Sequence, residues 1–223
     1  MSKLPDRGIG HPAPDLEFNT MTLPAGTEIH RIHNGKWGAS GFNPGASIDP
    51  KIGNVGSRFA PFKSAGAFIP TLYGGDSLGC AAFETIFHDI DPLAKFKTVS
   101  MSSLSSLKYS VLTLTKDVEA TRLFSPDLKR LSLARQDLID CPSSRYSQTR
   151  LWAQAMYDSP AAPSGLVWTS RQFDEGRAYI FFGSRIPPKH FEVQTSVSIV
   201  NDAVTLDKIR DFGDLAGITI VHS

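Results

Sequence analysis

Cysteine is scarce in this chain: Cys80 and Cys141 are all it has, enough for one bridge at most. That excludes a disulfide framework and a paired-cysteine metal site, and two lone thiols read as small buried side chains. Neither charge is in excess, since 23 Lys and Arg stand against 22 Asp and Glu. The basic footprint needed to bind a phosphate backbone is therefore missing, and nucleic acid is not expected as a direct partner. No stretch approaches the ~20 consecutive apolar residues of a membrane span. The opening residues carry Pro5, Pro12, Pro14 and Pro24 without the continuous apolar run of a secretion signal. Residues 1–24 read as an extended lead-in, and the cytoplasm is the expected location.

Several chemistry-bearing motifs are missing as well. The chain has no GxxxxGK[ST] phosphate loop, no GxGxxG after a strand, no HExxH and no GxSxG elbow. The glycine-rich run Gly74-Gly75-Asp76-Ser77-Leu78-Gly79 matches none of these spacings and reads as a tight turn. Glu84 and His88 stand one helical turn apart; a surface i,i+4 pair accounts for them more simply than a metal site, and no metal is expected. Trp37, Trp152 and Trp168 are not interleaved with basic residues and read as packing side chains.

What is present is a globular composition, 41% hydrophobic and 20% charged over 223 residues. A chain of that length buries roughly 70% of its unfolded surface, and with no composition break or repeat it reads as a single domain over residues 1–223. Glu28–His33 alternates polar and apolar residues as a half-buried strand does, with Ile29 and Arg31 on one face and His30 and Ile32 on the other. Residues 35–56 read as a long loop. Strands are predicted at Val55–Phe62, Ala67–Tyr73, Tyr109–Thr115, Leu166–Ser170, Tyr179–Phe182, His190–Val200 and Ile218–Val221. Helices are predicted from Gly79 to Ile90, at Asp127–Leu133, from Ser144 to Asp158 with Leu151, Trp152, Ala155 and Met156 on one face, and at Leu206–Phe212. Residues 98–106 read as a serine-rich loop. Many short strands with a few interspersed helices indicate an α+β fold with a mixed β core.

The polar residues left over form an ordered series: Arg31 in His30-Arg31-Ile32, Arg58 in Gly56-Ser57-Arg58-Phe59-Ala60-Pro61, Tyr73 after Leu72, Glu84 in Cys80-Ala81-Ala82-Phe83-Glu84, and Ser170 at the end of Gly165-Leu166-Val167-Trp168-Thr169-Ser170. This succession, from about residue 28 to 182, resembles the RES domain, a family named for an arginine, a glutamate and a serine. Ser57 and Ala60 stand where that family usually has Gly and Asn, and the long interval between Glu84 and Ser170 implies inserted structure around residues 95–140. The resemblance implies a fold similar to ADP-ribosyltransferases and diphtheria-type toxins, with NAD held as substrate in a cleft. It also implies the role of a toxin in a toxin–antitoxin pair that consumes NAD by hydrolysis or phosphorolysis. The implied partner is an antitoxin with a helix-turn-helix DNA-binding part, in a hetero-oligomer or with a homodimer. ADP-ribose transfer to a protein, and a non-catalytic interaction protein of the same fold, are the alternatives.

Elementary chemistry gives those residues roles. Nicotinamide leaves NAD as a neutral pyridine, so the cleavage needs no general acid and one carboxylate can suffice, unlike ordinary glycoside hydrolysis. Glu84 is expected to bind the ribose hydroxyls and stabilise the oxocarbenium ion as it develops. Arg31 and Arg58 offer planar forks for the pyrophosphate. Tyr73 is expected against the cationic nicotinamide ring, and Ser170 on the ribose or on Glu84.

Overall fold

A computed structural model describes residues 9–45 and 56–222. Its strands are β1 (Thr20–Leu23), β2 (Glu28–Asn34), β3 (Lys63–Ser64), β4 (Ala67–Phe68), β5 (Thr71–Gly75), β6 (Thr98–Ser100), β7 (Leu107–Leu114), β8 (Val118–Arg122), β9 (Gly165–Thr169), β10 (Arg177–Phe182), β11 (Phe191–Ser198) and β12 (Thr219–Val221). The helices are α1 (Leu78–Thr85), α2 (Met101–Leu104), α3 (Ser125–Arg130), α4 (Arg135–Leu138), α5 (Tyr146–Asp158) and α6 (Ala203–Leu215). Eight strands form one sheet in the order β1-β8-β9-β10-β5-β2-β7-β11. All its pairs are antiparallel except β8 with β9. Mixed strands and short helices make the fold α+β, as the sequence indicates.

The middle of the sheet is buried on both faces, which is why β9 and β10 are nearly continuous apolar runs rather than alternating ones. Leu166, Trp168, Ala178, Ile180 and Phe182 pack on one side with residues of α3, α4 and α5. Val167, Tyr179 and Phe181 pack on the other with Leu72 and Ile29. Period-two alternation in β2 then divides its apolar residues: Ile29 joins that second core, whereas Ile32 joins a third, with Phe83 and Phe87 near α1 and Leu206 and Ile209 of α6.

Several local expectations give way to longer-range structure. The part of Val55–Phe62 within the described residues is a turn, not a strand, closed by the Ser57 N–H donating to the Ala60 carbonyl at 2.7 Å, with Gly56 at φ +72. Residues 46–55 of the expected 35–56 loop, Val55 among them, lie outside the described residues. Ala67–Tyr73 is two strands rather than one. Helix α1 starts at a Ser77 cap, whose Oγ accepts from the Cys80 N–H at 3.1 Å, and ends at Thr85 rather than Ile90. Past it the Phe87 N–H turns back to the Ala82 carbonyl at 3.1 Å, so a turn rather than a helix brings Phe87 and Ile90 to the core. In α5 the buried face is Thr149, Trp152, Ala153 and Met156, and Leu151 faces solvent. Residues 98–106, read as loop, hold β6 and α2, because β6 pairs in parallel with β12 some 120 positions on. Part of the lead-in is the edge strand β1, which pairs with β8, an element of the expected insertion.

One buried histidine makes stability depend on pH. His33 is enclosed between β2 and β7, its Nε2 2.9 Å from the Ser110 Oγ and its Nδ1 3.1 Å from the Asn34 carbonyl. Burial, reinforced by the Arg31 charge, depresses its pKa from 6.5 to about 4. Above pH ~6.5 both folded and unfolded His33 are neutral. As pH falls toward 4 the unfolded chain takes up a proton that the fold refuses, a loss approaching ~3 kcal/mol by linkage. Urea unfolding at pH 7 and pH 4.5 should show a smaller loss of stability in His33→Gln than in the parent.

Candidate active site

Strands β2 and β5 pair at one register position, His30 with Gly75, and the site opens where they separate. Gly74 stands at that fork: a Cβ there would lie 2.5 Å from Ile29 Cγ2 and 3.1 Å from the His30 carbonyl oxygen, so only glycine lets the two strands meet so closely. Beside the fork is a cavity of about 420 Å³, within the range of small-ligand sites. Arg31 and Ile32 of β2, Tyr73 and Gly74 of β5, Trp168 and Ala178 of the central strands, Ala81 and Glu84 of α1, and Tyr146 of α5 line it together with the Gly56–Arg58 turn.

The centre of the site is Glu84, whose side chain is 17% exposed. Its Oε1 accepts from Ser170 Oγ at 2.7 Å and from the Arg171 N–H at 3.1 Å. Ser170 is completely buried and sits behind the carboxylate, its Oγ also accepting from the Phe173 N–H at 3.2 Å. Oε2 lies 3.8 Å from Arg58 Nη1. Fixed donors on one oxygen and a guanidinium beside the other hold the carboxylate in one orientation toward the cavity.

Arg58 is 4% exposed and reaches the site on the turn described above, which α5 clamps. The Thr149 hydroxyl donates to the Arg58 carbonyl, and Arg150 Nη1 donates to the Ser57 carbonyl at 3.2 Å. Its guanidinium lies 5.7 Å from the centre of the Tyr146 ring, an attractive cation–π placement. Arg31 is also buried, and burial lowers its pKa to about 10. Arg31 Nη1 donates to the Ala39 and Gly41 carbonyls at 2.6 and 3.0 Å, so it also ties down the strand's outgoing loop. Among the described residues no carboxylate pairs with it. Among the described residues, Arg31 Nε, Arg58 Nε and Nη2 and Trp168 Nε1 are buried with no hydrogen-bond acceptor. A wall with two buried guanidinium groups and donors to spare, alongside the Glu84 carboxylate and with solvent-exposed Asp89 at the rim, is built for an acceptor-rich anion.

Tyr73 lies half-buried on the cavity wall, edge-on to Trp168 at 6.3 Å. Its hydroxyl oxygen accepts from Ser57 Oγ at 2.8 Å and the Phe59 N–H at 3.1 Å, and burial pushes its pKa up to about 12. It is thus a neutral, tethered aromatic surface.

All five residues singled out in the sequence converge here, four on the cavity wall and Ser170 behind Glu84. Three others were not read as part of a site. Trp168 packs, as its sequence context indicates, but also lines the cavity. His88 is no surface i,i+4 partner of Glu84, because α1 ends between them; it faces the cavity with Asp89 and Tyr146. Nothing local in the sequence marks Tyr146, which lies 62 positions from Glu84.

A family model described as RES domain matches residues 28–202, most of the chain. No curated protein matches it. The chain belongs to the RES-domain family.

Proposed function

We propose that this RES-domain protein cleaves NAD at the nicotinamide–ribose bond, by hydrolysis or phosphorolysis, as the toxin of a toxin–antitoxin pair. The observation that carries the reading is the Glu84 carboxylate, pinned by Ser170 and Arg171 and facing a cavity that also presents Arg31 and Tyr73. As the bond from C1′ to the pyridinium nitrogen breaks, its electron pair leaves on nicotinamide and positive charge grows on the ribose. Glu84 supplies the opposite charge and accepts from the ribose hydroxyls, without having to reorient. Tyr73 offers its ring to the pyridinium, whose attraction vanishes once nicotinamide becomes neutral.

Arg58 lies closest to Glu84, so in this reading its main task is to hold that carboxylate, and Arg31 is the principal ligand of the pyrophosphate. A sheet forked beside a nucleotide cleft is also what a fold similar to ADP-ribosyltransferases calls for. The partner that restrains the activity in this reading is an antitoxin with a helix-turn-helix part, acting in the cytoplasm.

The test is purified protein mixed with NAD, with free nicotinamide followed by chromatography with and without phosphate. Nicotinamide release is expected; dependence on phosphate identifies phosphorolysis. Label from NAD appearing on a protein, with no ADP-ribose free in solution, would replace this reading by a transferase. Ser170→Ala removes one of two donors that orient Glu84 and should lower kcat about 10-fold, within the range for lost positioning contacts, with KM little changed. Steady-state kinetics of the variant check this.

A further inference from the structure

Hydrolysis of NAD is accelerated by one more group than those assigned so far, a base for the water that attacks C1′, and Glu84 is already committed to the ribose. Its Oε1 already accepts from Ser170 and Arg171, and its Oε2, 3.8 Å from Arg58 Nη1, is the oxygen left for the ribose hydroxyls. The Tyr73 oxygen already accepts two hydrogen bonds. Resting on the NAD-cleavage reading, we propose that His88, working with the Tyr146 hydroxyl, is the base that deprotonates this water.

Both residues line the same cavity as Glu84. His88 is held at three points. Gln172 Nε2 donates to its carbonyl at 2.7 Å, its Nδ1 is 2.8 Å from Asp89 Oδ1, and its Nε2 is 3.3 Å from the Tyr146 hydroxyl. A carboxylate only accepts, so Asp89 places the proton on Nδ1 and leaves Nε2 as the acceptor. The Tyr146 O–H then donates to Nε2, and its oxygen keeps a lone pair for the incoming water. Tyr146 is itself fixed at the start of α5 with its ring against Arg58, and burial raises its pKa, which keeps it protonated at rest.

The step balances. The C1′–N bond breaks with its electron pair going to nicotinamide, and the water oxygen bonds to C1′. The water proton passes to the Tyr146 oxygen as the Tyr146 proton passes to His88 Nε2, from which it is lost to solvent. His88 with Tyr146 is the catalytic pair, and Asp89 is a positioning residue.

Two reactions separate this role from the others. Exchange of labelled nicotinamide into NAD passes through the same bond cleavage but returns nicotinamide to C1′, with no proton to remove; hydrolysis is accelerated by the base. In His88→Gln, hydrolysis should fall about 100-fold while exchange stays within about 3-fold, the signature of a lost general base. Tyr146→Phe removes one oxygen and leaves the ring against Arg58. It should lower hydrolysis about 10-fold with exchange preserved, and it carries the test if His88→Gln does not fold. Hydrolysis unchanged in both variants, exchange and hydrolysis falling together, or release of nicotinamide that depends strictly on phosphate would each overturn the proposal. If the parent protein releases no nicotinamide at all, the NAD-cleavage reading fails, a result distinct from any of these.

Discussion

Glu84→Gln is expected to lower kcat for nicotinamide release by about 10³-fold, the upper range for removal of one preorganised electrostatic group. The side chains match in size, and a glutamine carbonyl in place of Oε1 can still accept from Ser170 Oγ and the Arg171 N–H. What disappears is the negative charge, at the moment when the ribose turns cationic. KM should change much less, because ground-state binding falls to Arg31 and Tyr73. The fold pays a smaller cost. Arg58, 4% exposed, loses its counter-ion and meets an amide N–H at the Oε2 position. Since Glu84 is partly exposed and 3.8 Å away, the loss should be about 1–2 kcal/mol, below the 3–5 of a fully buried pair. A thermal melt should therefore drop by a few degrees and remain cooperative, while chromatography shows nicotinamide release at about a thousandth of the parent rate. A variant that retained activity within about 3-fold of the parent would leave charge stabilisation by Glu84 without support, because a group worth so little contributes under 1 kcal/mol to the barrier.

How far the site was legible in the chain depended on the range of the contacts that build it. Alternation along Glu28–His33 revealed β2, because half-burial is a local property of a strand, and the outcome is visible in Ile29 and Ile32 entering different cores. The apolar runs of β9 and β10 were legible for the opposite reason, burial on both faces. The five site residues were found as an ordered series that resembles a family, not from any local signal: Glu84 alone, on an amphipathic helix, is indistinguishable from a solvent-facing glutamate. The turn that carries Arg58 has the look of a strand in sequence because Phe59 and Phe62 are strand-type residues, whereas the Ser57–Ala60 hydrogen bond and clamping by α5 decide its shape. His88 and Tyr146 escaped notice for a related reason. Their meeting depends on where α1 ends and on tertiary packing that brings the start of α5 to the residues beyond that end, and the helix-spaced Phe87 and Ile90 conceal it. Strands β1 and β8 are short and half polar; each is a strand because the other, or β9, is beside it.

Gly165→Ala should destabilise the protein by about 3 kcal/mol or more, at the high end for overpacking, without touching a residue of the cavity wall. Gly165 opens β9 and is paired on both sides, with Ala120 of β8 and Phe181 of β10. A Cβ there would stand 2.3 Å from the Ile180 carbonyl oxygen and 3.4 Å from the Phe181 Cα. These are backbone atoms of a central strand, so no side chain can rotate away, and relief requires β9 and β10 to part. At ~2–4 °C per kcal/mol for a chain of this size, the melting temperature should fall by roughly 10 °C. The strain also has a route to the chemistry. Trp168 and Ser170 lie further along the same strand and its end, and Ser170 reaches Glu84 through a single 2.7 Å hydrogen bond. Parting β9 from β10 displaces that hydroxyl, so kcat should fall even below the melting transition, in the direction of Ser170→Ala. Gly38→Ala supplies the contrast, since a Cβ at Gly38 meets nothing within 4 Å and should change stability by no more than about 0.5 kcal/mol. If the two variants melted alike, the close pairing of β9 with β10 would not be what holds Ser170 behind the carboxylate.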